Sequence, residues 1–114
     1  SATLAALHWE IEPIHYLIGY AGKNVRCAPY ELFGTEKLAK EALEAMEDRN
    51  ACLLANHGLL AIGGTIEYAF DTAEEIEFVA ELYYKAKCVG EPIPLKSEEM
   101  DEFLEKFKPY GKKL

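Results

Sequence analysis

Asn56-His57-Gly58 lies between two apolar runs, Ala51–Ala55 and Leu59–Ile62. Short apolar runs bounded by turn residues predict buried strands, so the chain is expected to turn tightly between them and to carry one imidazole on that turn. Open α/β folds keep their ligands and catalytic groups beyond the strand ends. This segment therefore predicts a sheet with His57 at its edge, in the position where a functional site belongs.

His57 has two interpretations from sequence alone. It is either a metal ligand or a turn histidine that hydrogen-bonds the strand ends. A catalytic zinc usually takes three protein ligands, and no cluster elsewhere in the chain supplies two more at a recognisable spacing. We therefore expect His57 to be one ligand of a site that this chain completes only in part.

Composition narrows the class of protein. The 114 residues are 50% hydrophobic, which is enough for a packed core in a single domain. The formal net charge is -8, and no stretch clusters Lys or Arg into a stripe. Electrostatic repulsion therefore disfavours nucleic acid and anionic membrane surfaces as partners.

The cysteine spacing predicts the cellular compartment of the protein, and the first residues indicate whether the fold is complete. Cys27, Cys52 and Cys88 are widely spaced, which fits neither a disulfide framework nor a zinc ribbon and predicts a reducing cytoplasm. No apolar run reaches the roughly 20 residues that cross a bilayer. Ser1 leads directly into an apolar helical stripe without a cap, so we expect the fold to be incomplete at the N-terminus.

Strand and helix patterns alternate along the chain. The predicted strands are Ile14–Ile18, Val25–Ala28 and the two runs around His57. Four helices are predicted: the first is ended by Pro13, the second starts at Glu36 and is capped by Thr35, the third covers about Ile66–Lys87 and is capped by Thr65, and the fourth is capped by Ser97. This order predicts an α/β fold, a three-layer α/β/α domain with a mixed central sheet.

Several ordered segments carry a family resemblance that covers nearly the whole chain. They are Ile14-His-Tyr16, Ala28-Pro-Tyr-Glu-Leu-Phe-Gly-Thr35, Leu54-Ala-Asn-His-Gly58, the helix with Glu74-Glu-Ile-Glu77 and Leu82-Tyr-Tyr84, and Lys106-Phe-Lys-Pro-Tyr-Gly111. Together they resemble the C-terminal half of class II aldolases of the fuculose-phosphate aldolase type. Ribulose-phosphate 4-epimerases and adducin heads belong to the same family.

The resemblance implies a chemistry and a set of residues. Residues 1–114 would be the C-terminal portion of a single aldolase domain that holds Zn²⁺ on three imidazoles, one of them His57, with the other two in a His-x-His element before Ser1. The metal would assist retro-aldol cleavage of a sugar 1-phosphate into dihydroxyacetone phosphate and a small aldehyde. Tyr16 would donate a proton on the aldehyde side, and Tyr110 would reach a neighbouring subunit's site in a homotetramer. This chain alone would be inactive.

The other candidate residues keep simpler interpretations. Tyr16 could fill the core, and Tyr110 could belong to a frayed terminus. His15 fits a hydrogen-bonded core histidine, and a metal site built from His8, His15 and His57 has no support in the family pattern. One of Glu74 and Glu77 could orient a ligand, although a solvated helix face explains both.

Three functions remain open at this point. The first is a zinc-dependent aldolase, a lyase. The second is a ribulose-phosphate 4-epimerase of the same fold, which rejoins the aldehyde after the same bond cleavage. The third is an adducin-like interaction module that has lost the metal. Release of product from a sugar 1-phosphate separates the first from the second, and the presence of the two further histidines separates both from the third.

Overall fold

A computed structural model describes the backbone of residues 1–111 and the side chains of residues 1–107. The elements in chain order are α1 (Ala2–Ala6), a 3₁₀ helix (Tyr16–Tyr20), β1 (Cys27–Ala28), α2 (Glu36–Ala45), β2 (Ala51–Leu54), β3 (Gly58–Ala61), α3 (Ile66–Val89) and α4 (Ser97–Gly111). The alternation of strands and helices confirms the predicted α/β class.

The sheet is mixed, as predicted. Its order is β1-β2-β3, with β1 parallel to β2 and β2 antiparallel to β3. Ala28 pairs with Leu54 at the ends of β1 and β2, and Leu54 also pairs with Gly58 across the turn that contains His57. The segments that follow β1 and β2 therefore leave the sheet at the same edge.

Side chains alternate between the two faces of the sheet and bury both of them. Leu53 and Cys27 belong to the larger core with Ile76 of α3. Cys52 belongs to a smaller core on the opposite face with Ala45 of α2. Helices therefore cover the two faces of one sheet, which confirms the three-layer arrangement.

Threonine caps begin the two helices for which the sequence predicted them. Thr35 accepts a hydrogen bond from the Leu38 amide at 3.2 Å, and Thr65 accepts one from the Tyr68 amide at 3.1 Å. Each hydroxyl satisfies one of the amides that the first turn of a helix leaves without a partner. Both predicted helix starts are confirmed.

The predicted strand Ile14–Ile18 is wrong. Tyr16–Tyr20 forms a 3₁₀ helix whose N-cap is His15, and the His15 Nδ1 accepts a hydrogen bond from the Leu17 amide at 3.1 Å. A short apolar run does not distinguish a strand from a buried helical turn, and a capping side chain favours the turn here. The strand predicted at Val25–Ala28 is shorter, because Val25 only bridges to Ile11.

Three predicted helix boundaries also need correction. Helix α1 ends at Ala6, before Pro13, and α4 continues through Gly111, although Tyr110-Gly111 in the sequence predicts the start of a basic tail. Ser97 is the first residue of α4 and not its cap, since its hydroxyl accepts from Lys23 Nζ at 3.1 Å. The Glu99 carboxylate instead accepts a hydrogen bond from the backbone amide of Lys96 at 2.8 Å. This is one of the two hydrogen bonds of a capping box, in which the third helical residue bonds the amide of the cap residue.

Within residues 1–111, none of the helices combines the length and the apolar character that a membrane span needs.

Candidate functional site

The turn between β2 and β3 presents His57 to solvent. The Leu54 carbonyl accepts a hydrogen bond from the His57 amide at 2.9 Å, which closes a tight turn. Asn56 has a left-handed backbone with φ of 59°, a conformation that asparagine tolerates better than most residues. The side chains of Asn56 and His57 are both exposed. The imidazole is therefore open to a ligand from outside the sheet.

Residues after β1 approach the same turn. Tyr30, Glu31 and Phe33 line a cavity of about 170 Å³ together with Asn56 and His57. They are brought there by the parallel pairing of β1 with β2, because the two strands end side by side at Ala28 and Leu54. These three residues were not predicted as site residues, although two adjacent parallel strand ends would have pointed to them.

The size of this cavity limits what it can hold. Pockets that bind small molecules have volumes of about 300–1,000 Å³. At about 170 Å³, the cavity beside His57 is smaller than that range. The cavity alone is therefore too small to enclose a whole ligand of that kind.

His57 fits a metal as a single ligand. Its imidazole makes no side-chain hydrogen bond to the part of the chain that the structure describes, so a ring nitrogen is available for coordination. A neutral imidazole at a solvent-facing turn is a common zinc ligand. Among the described residues, no group of three His, Cys, Asp or Glu side chains could hold a metal.

The alternative metal site from His8, His15 and His57 is not formed. The His8 Nε2 donates a hydrogen bond to the Asn56 side chain, and the His15 Nδ1 caps the 3₁₀ helix. Both imidazoles have structural partners, and neither joins His57 in a group that could bind a metal within residues 1–107.

The environments of the two sheet cysteines, Cys27 and Cys52, favour the protonated thiol. Burial, with a smaller effect from Cys27, raises the pKa of the Cys52 thiol to about 11. Burial and the Glu10 carboxylate also raise the pKa of Cys27. A metal ligand or a nucleophile needs the thiolate, which both environments disfavour.

Tyr16 lies on another surface of the domain. It is the first residue of the 3₁₀ helix and is 53% exposed, and its ring packs edge to face on Phe103 of α4 with centroids 5.0 Å apart. Its exposure argues against a core-filling role. The residues that line the His57 cavity do not include Tyr16, so the structure does not bring these two predicted site residues together.

The other residues that the sequence suggested for the site are Tyr110, Glu74 and Glu77. The backbone of Tyr110 lies in α4, but its side chain is outside the described residues. Glu74 and Glu77 are both exposed on α3. Neither carboxylate lines the cavity that contains His57.

Comparison with known proteins agrees with this geometry. Residues 1–84 match the family described as "Class II Aldolase and Adducin N-terminal domain". The chain belongs to the class II aldolase and adducin family.

Relatives and a solved structure in this family carry aldolase names. The chain is 55% identical to a 5-deoxy-D-ribulose 1-phosphate aldolase of Bacillus thuringiensis serovar kurstaki, over 96% of this chain and 51% of that protein. It is 46% identical to a 5-methylthioribulose-1-phosphate/5-deoxyribulose-1-phosphate aldolase of Rhodospirillum rubrum, over 97% of this chain and 51% of that protein. It superimposes on an L-fuculose 1-phosphate aldolase with a TM-score of 0.92 and 48% identity, covering 94% of this chain and 50% of that one. The chain thus spans about half the length of the curated relatives it matches.

Proposed function

We propose that the full-length protein is a zinc-dependent aldolase that cleaves a sugar 1-phosphate into dihydroxyacetone phosphate and a small aldehyde. Residues 1–114 form the C-terminal portion of its single aldolase domain and are inactive alone. The observation that carries the proposal is the open imidazole of His57 on the β2–β3 turn, beside a cavity too small to be a complete substrate site.

In this proposal His57 contributes one neutral imidazole nitrogen as a metal ligand. Bound zinc would supply Lewis acidity that stabilises negative charge developing as the carbon–carbon bond breaks. The remaining ligands come from residues outside this chain. The strands on both sides hold the turn, because Leu54 and Gly58 are paired and the Leu54 carbonyl binds the His57 amide. The backbone of His57, from which the imidazole extends, therefore has a defined position.

Tyr16 is proposed as the group that donates a hydrogen bond to the aldehyde-side oxygen. A phenol stays protonated at neutral pH and can stabilise developing alkoxide. The exposed ring of Tyr16, held at one edge by Phe103, can meet a substrate bound to another copy of the chain. Tyr110 is proposed for a similar role from sequence alone.

The aldolase names of the relatives support the choice of test substrates. The full-length protein, loaded with zinc, is mixed with 5-deoxyribulose 1-phosphate or fuculose 1-phosphate, and dihydroxyacetone phosphate is measured. We expect release from at least one substrate, loss of release after chelation, and recovery when zinc is restored. Interconversion of pentulose 5-phosphates without release would favour the epimerase, and no turnover or zinc binding would favour the adducin-like module.

Tyr16→Phe tests the second proposed residue. Turnover should fall while the zinc content is unchanged, since the phenol is proposed to act on substrate and not on the metal. Turnover equal to that of the wild-type protein would remove Tyr16 from the mechanism.

A further inference from the structure

Helix α1 ends with an unusual residue at its C-terminal cap. The Trp9 amide donates to the Leu4 carbonyl at 3.0 Å, and the His8 amide donates to the Ala5 carbonyl at 3.1 Å. This is the Schellman pattern, which places His8 at the left-handed position with φ of 59°. Glycine is the usual residue there, because a side chain makes this backbone conformation unfavourable.

The imidazole of His8 contacts the turn that carries His57. Its Nε2 donates a hydrogen bond to the Asn56 side-chain oxygen. The Asn56 amide also donates to the Ala5 carbonyl at 2.9 Å, so this carbonyl accepts from both His8 and Asn56. Two residues with left-handed backbones, 48 positions apart, are therefore joined directly through their side chains and indirectly through the Ala5 carbonyl that accepts from both amides.

The tip of the turn has few other contacts. Asn56 and His57 are exposed, and a Cβ placed on Gly58 would have no atom of the described residues within 4 Å, apart from its chain neighbours. The side chains at this tip are therefore not packed in the core, while its backbone is held by the Leu54–Gly58 pair and by the bond from the Asn56 amide to the Ala5 carbonyl. The backbone angles of Asn56 set the direction of the His57 side chain, so a bond that holds Asn56 also orients His57.

We propose that His8 is a positioning residue for the metal site. It holds Asn56, and through Asn56 it fixes the turn that presents His57, so that zinc affinity depends on an imidazole that does not bind zinc. This inference rests on the proposed role of His57 as a ligand. It explains why an unfavourable backbone conformation at position 8 carries histidine where glycine would cap the helix without strain.

The variant His8→Gly separates the two roles that His8 could have. Glycine suits the left-handed cap, so the apo protein should unfold at the same temperature as the wild type or a higher one. The imidazole bond to Asn56 is lost. We expect the Kd for zinc, measured by competition with a chelator, to rise about tenfold, the lower end of the range for residues that orient a ligand.

Asp48→Gly is the matched control. Asp48 is another exposed non-glycine residue with a left-handed backbone, φ of 57°, and it lies in the loop after α2 and outside the cavity of His57. This variant should bind zinc like the wild type. A zinc affinity of His8→Gly equal to that of Asp48→Gly would overturn the inference.

A second variant tests whether His8 acts through Asn56. Asn56→Gly keeps a residue that tolerates the left-handed backbone and removes the amide side chain. It should raise the Kd for zinc as His8→Gly does, and the double variant should lose no more affinity than either single variant. Losses that multiply in the double variant would show independent effects and would overturn the inference.

His57→Ala distinguishes failure of this inference from failure of the proposed function. If His57→Ala loses zinc while His8→Gly binds it like the wild type, only the positioning role is wrong. If His57→Ala binds zinc with wild-type affinity, His57 is not a ligand and both proposals are wrong.

Discussion

Among single residues, Tyr83 on α3 combines deep burial with a nearby negative charge. It is 4% exposed, and its hydroxyl donates to the Glu12 carboxylate at 3.3 Å. Its ring packs edge to face on Trp9, with Lys87 Nζ 5.8 Å from its centroid. Burial and the charge of Glu12 raise the pKa of Tyr83 to about 12. The folded protein thus favours the neutral phenol.

The raised pKa predicts a loss of stability in alkaline solution. Between pH 10 and pH 12 an unfolded tyrosine releases its proton while folded Tyr83 keeps it, so the free energy of unfolding falls with rising pH. The contribution of Tyr83 is fully present below pH 10, and its loss should be on the order of 2 kcal/mol. Urea unfolding across this interval should show a steeper fall for the wild type than for Tyr83→Phe. Parallel curves would contradict the assignment.

Single residues also mark the limit of what sequence could reveal about the site. His57 was found because turn residues and apolar runs surround it. His8 was considered only as a possible metal ligand, and its proposed positioning role was missed, since a left-handed cap is recognised in sequence mainly by glycine. Tyr30, Glu31 and Phe33 were missed as site residues because only the pairing of β1 with β2 brings their loop to the turn.

At the scale of elements, α4 packs closely on the 3₁₀ helix at Gly19. A Cβ added to Gly19 would clash with Phe103 Cε2 and would lie 2.7 Å from its Cδ2. Phe103 is itself held between the rings of Tyr16 and Phe107, with centroids 5.0 and 5.3 Å away. The ring therefore has little room to move, and glycine allows the two helices to approach.

Gly19→Ala should separate these helices. The added methyl group overpacks the contact, and we expect a loss of about 1–3 kcal/mol in the free energy of unfolding. The matched experiment repeats the substitution in a Phe103→Ala background, where the methyl group has space and the loss should shrink. Equal losses in both backgrounds, measured by denaturant unfolding, would show that the contact is not responsible.

The elements that could be predicted from the sequence are those with more than one local signal. Helices α2 and α3 and the β2–β3 hairpin combine periodicity with caps or turn residues, so local signals agree with the fold. The segment Ile14–Ile18 has only apolar character, which is shared by strands and buried turns. Its actual structure depends on the His15 cap and on packing of Gly19 against Phe103, and both require knowledge of the tertiary fold.

For the whole molecule, large apolar side chains remain on the surface. Ile66 is 80% exposed, Phe33 78% and Phe70 61%. Exposed apolar surface of this kind often marks contacts with other chains or segments. The chain also spans about half the length of its matched relatives, and the cavity at His57 is small. These facts favour a site completed by further polypeptide.

We expect the full-length protein to be a homotetramer whose contacts include the α1 region and the C-terminal segment. The family resemblance implies the tetramer, and association would cover exposed apolar side chains. Sedimentation equilibrium at tens of micromolar subunit concentration should give the mass of a tetramer. A monomer at the same concentration would contradict this expectation.

The zinc content of the His57→Ala variant tests the central claim most directly. Elemental analysis of the full-length wild-type protein should find about one zinc per subunit, as expected for a mononuclear catalytic site. Cys88→Ala, which removes an exposed thiol on α3, serves as the control and should keep that content. We predict that His57→Ala retains almost no zinc. An unchanged zinc content in His57→Ala would contradict the account.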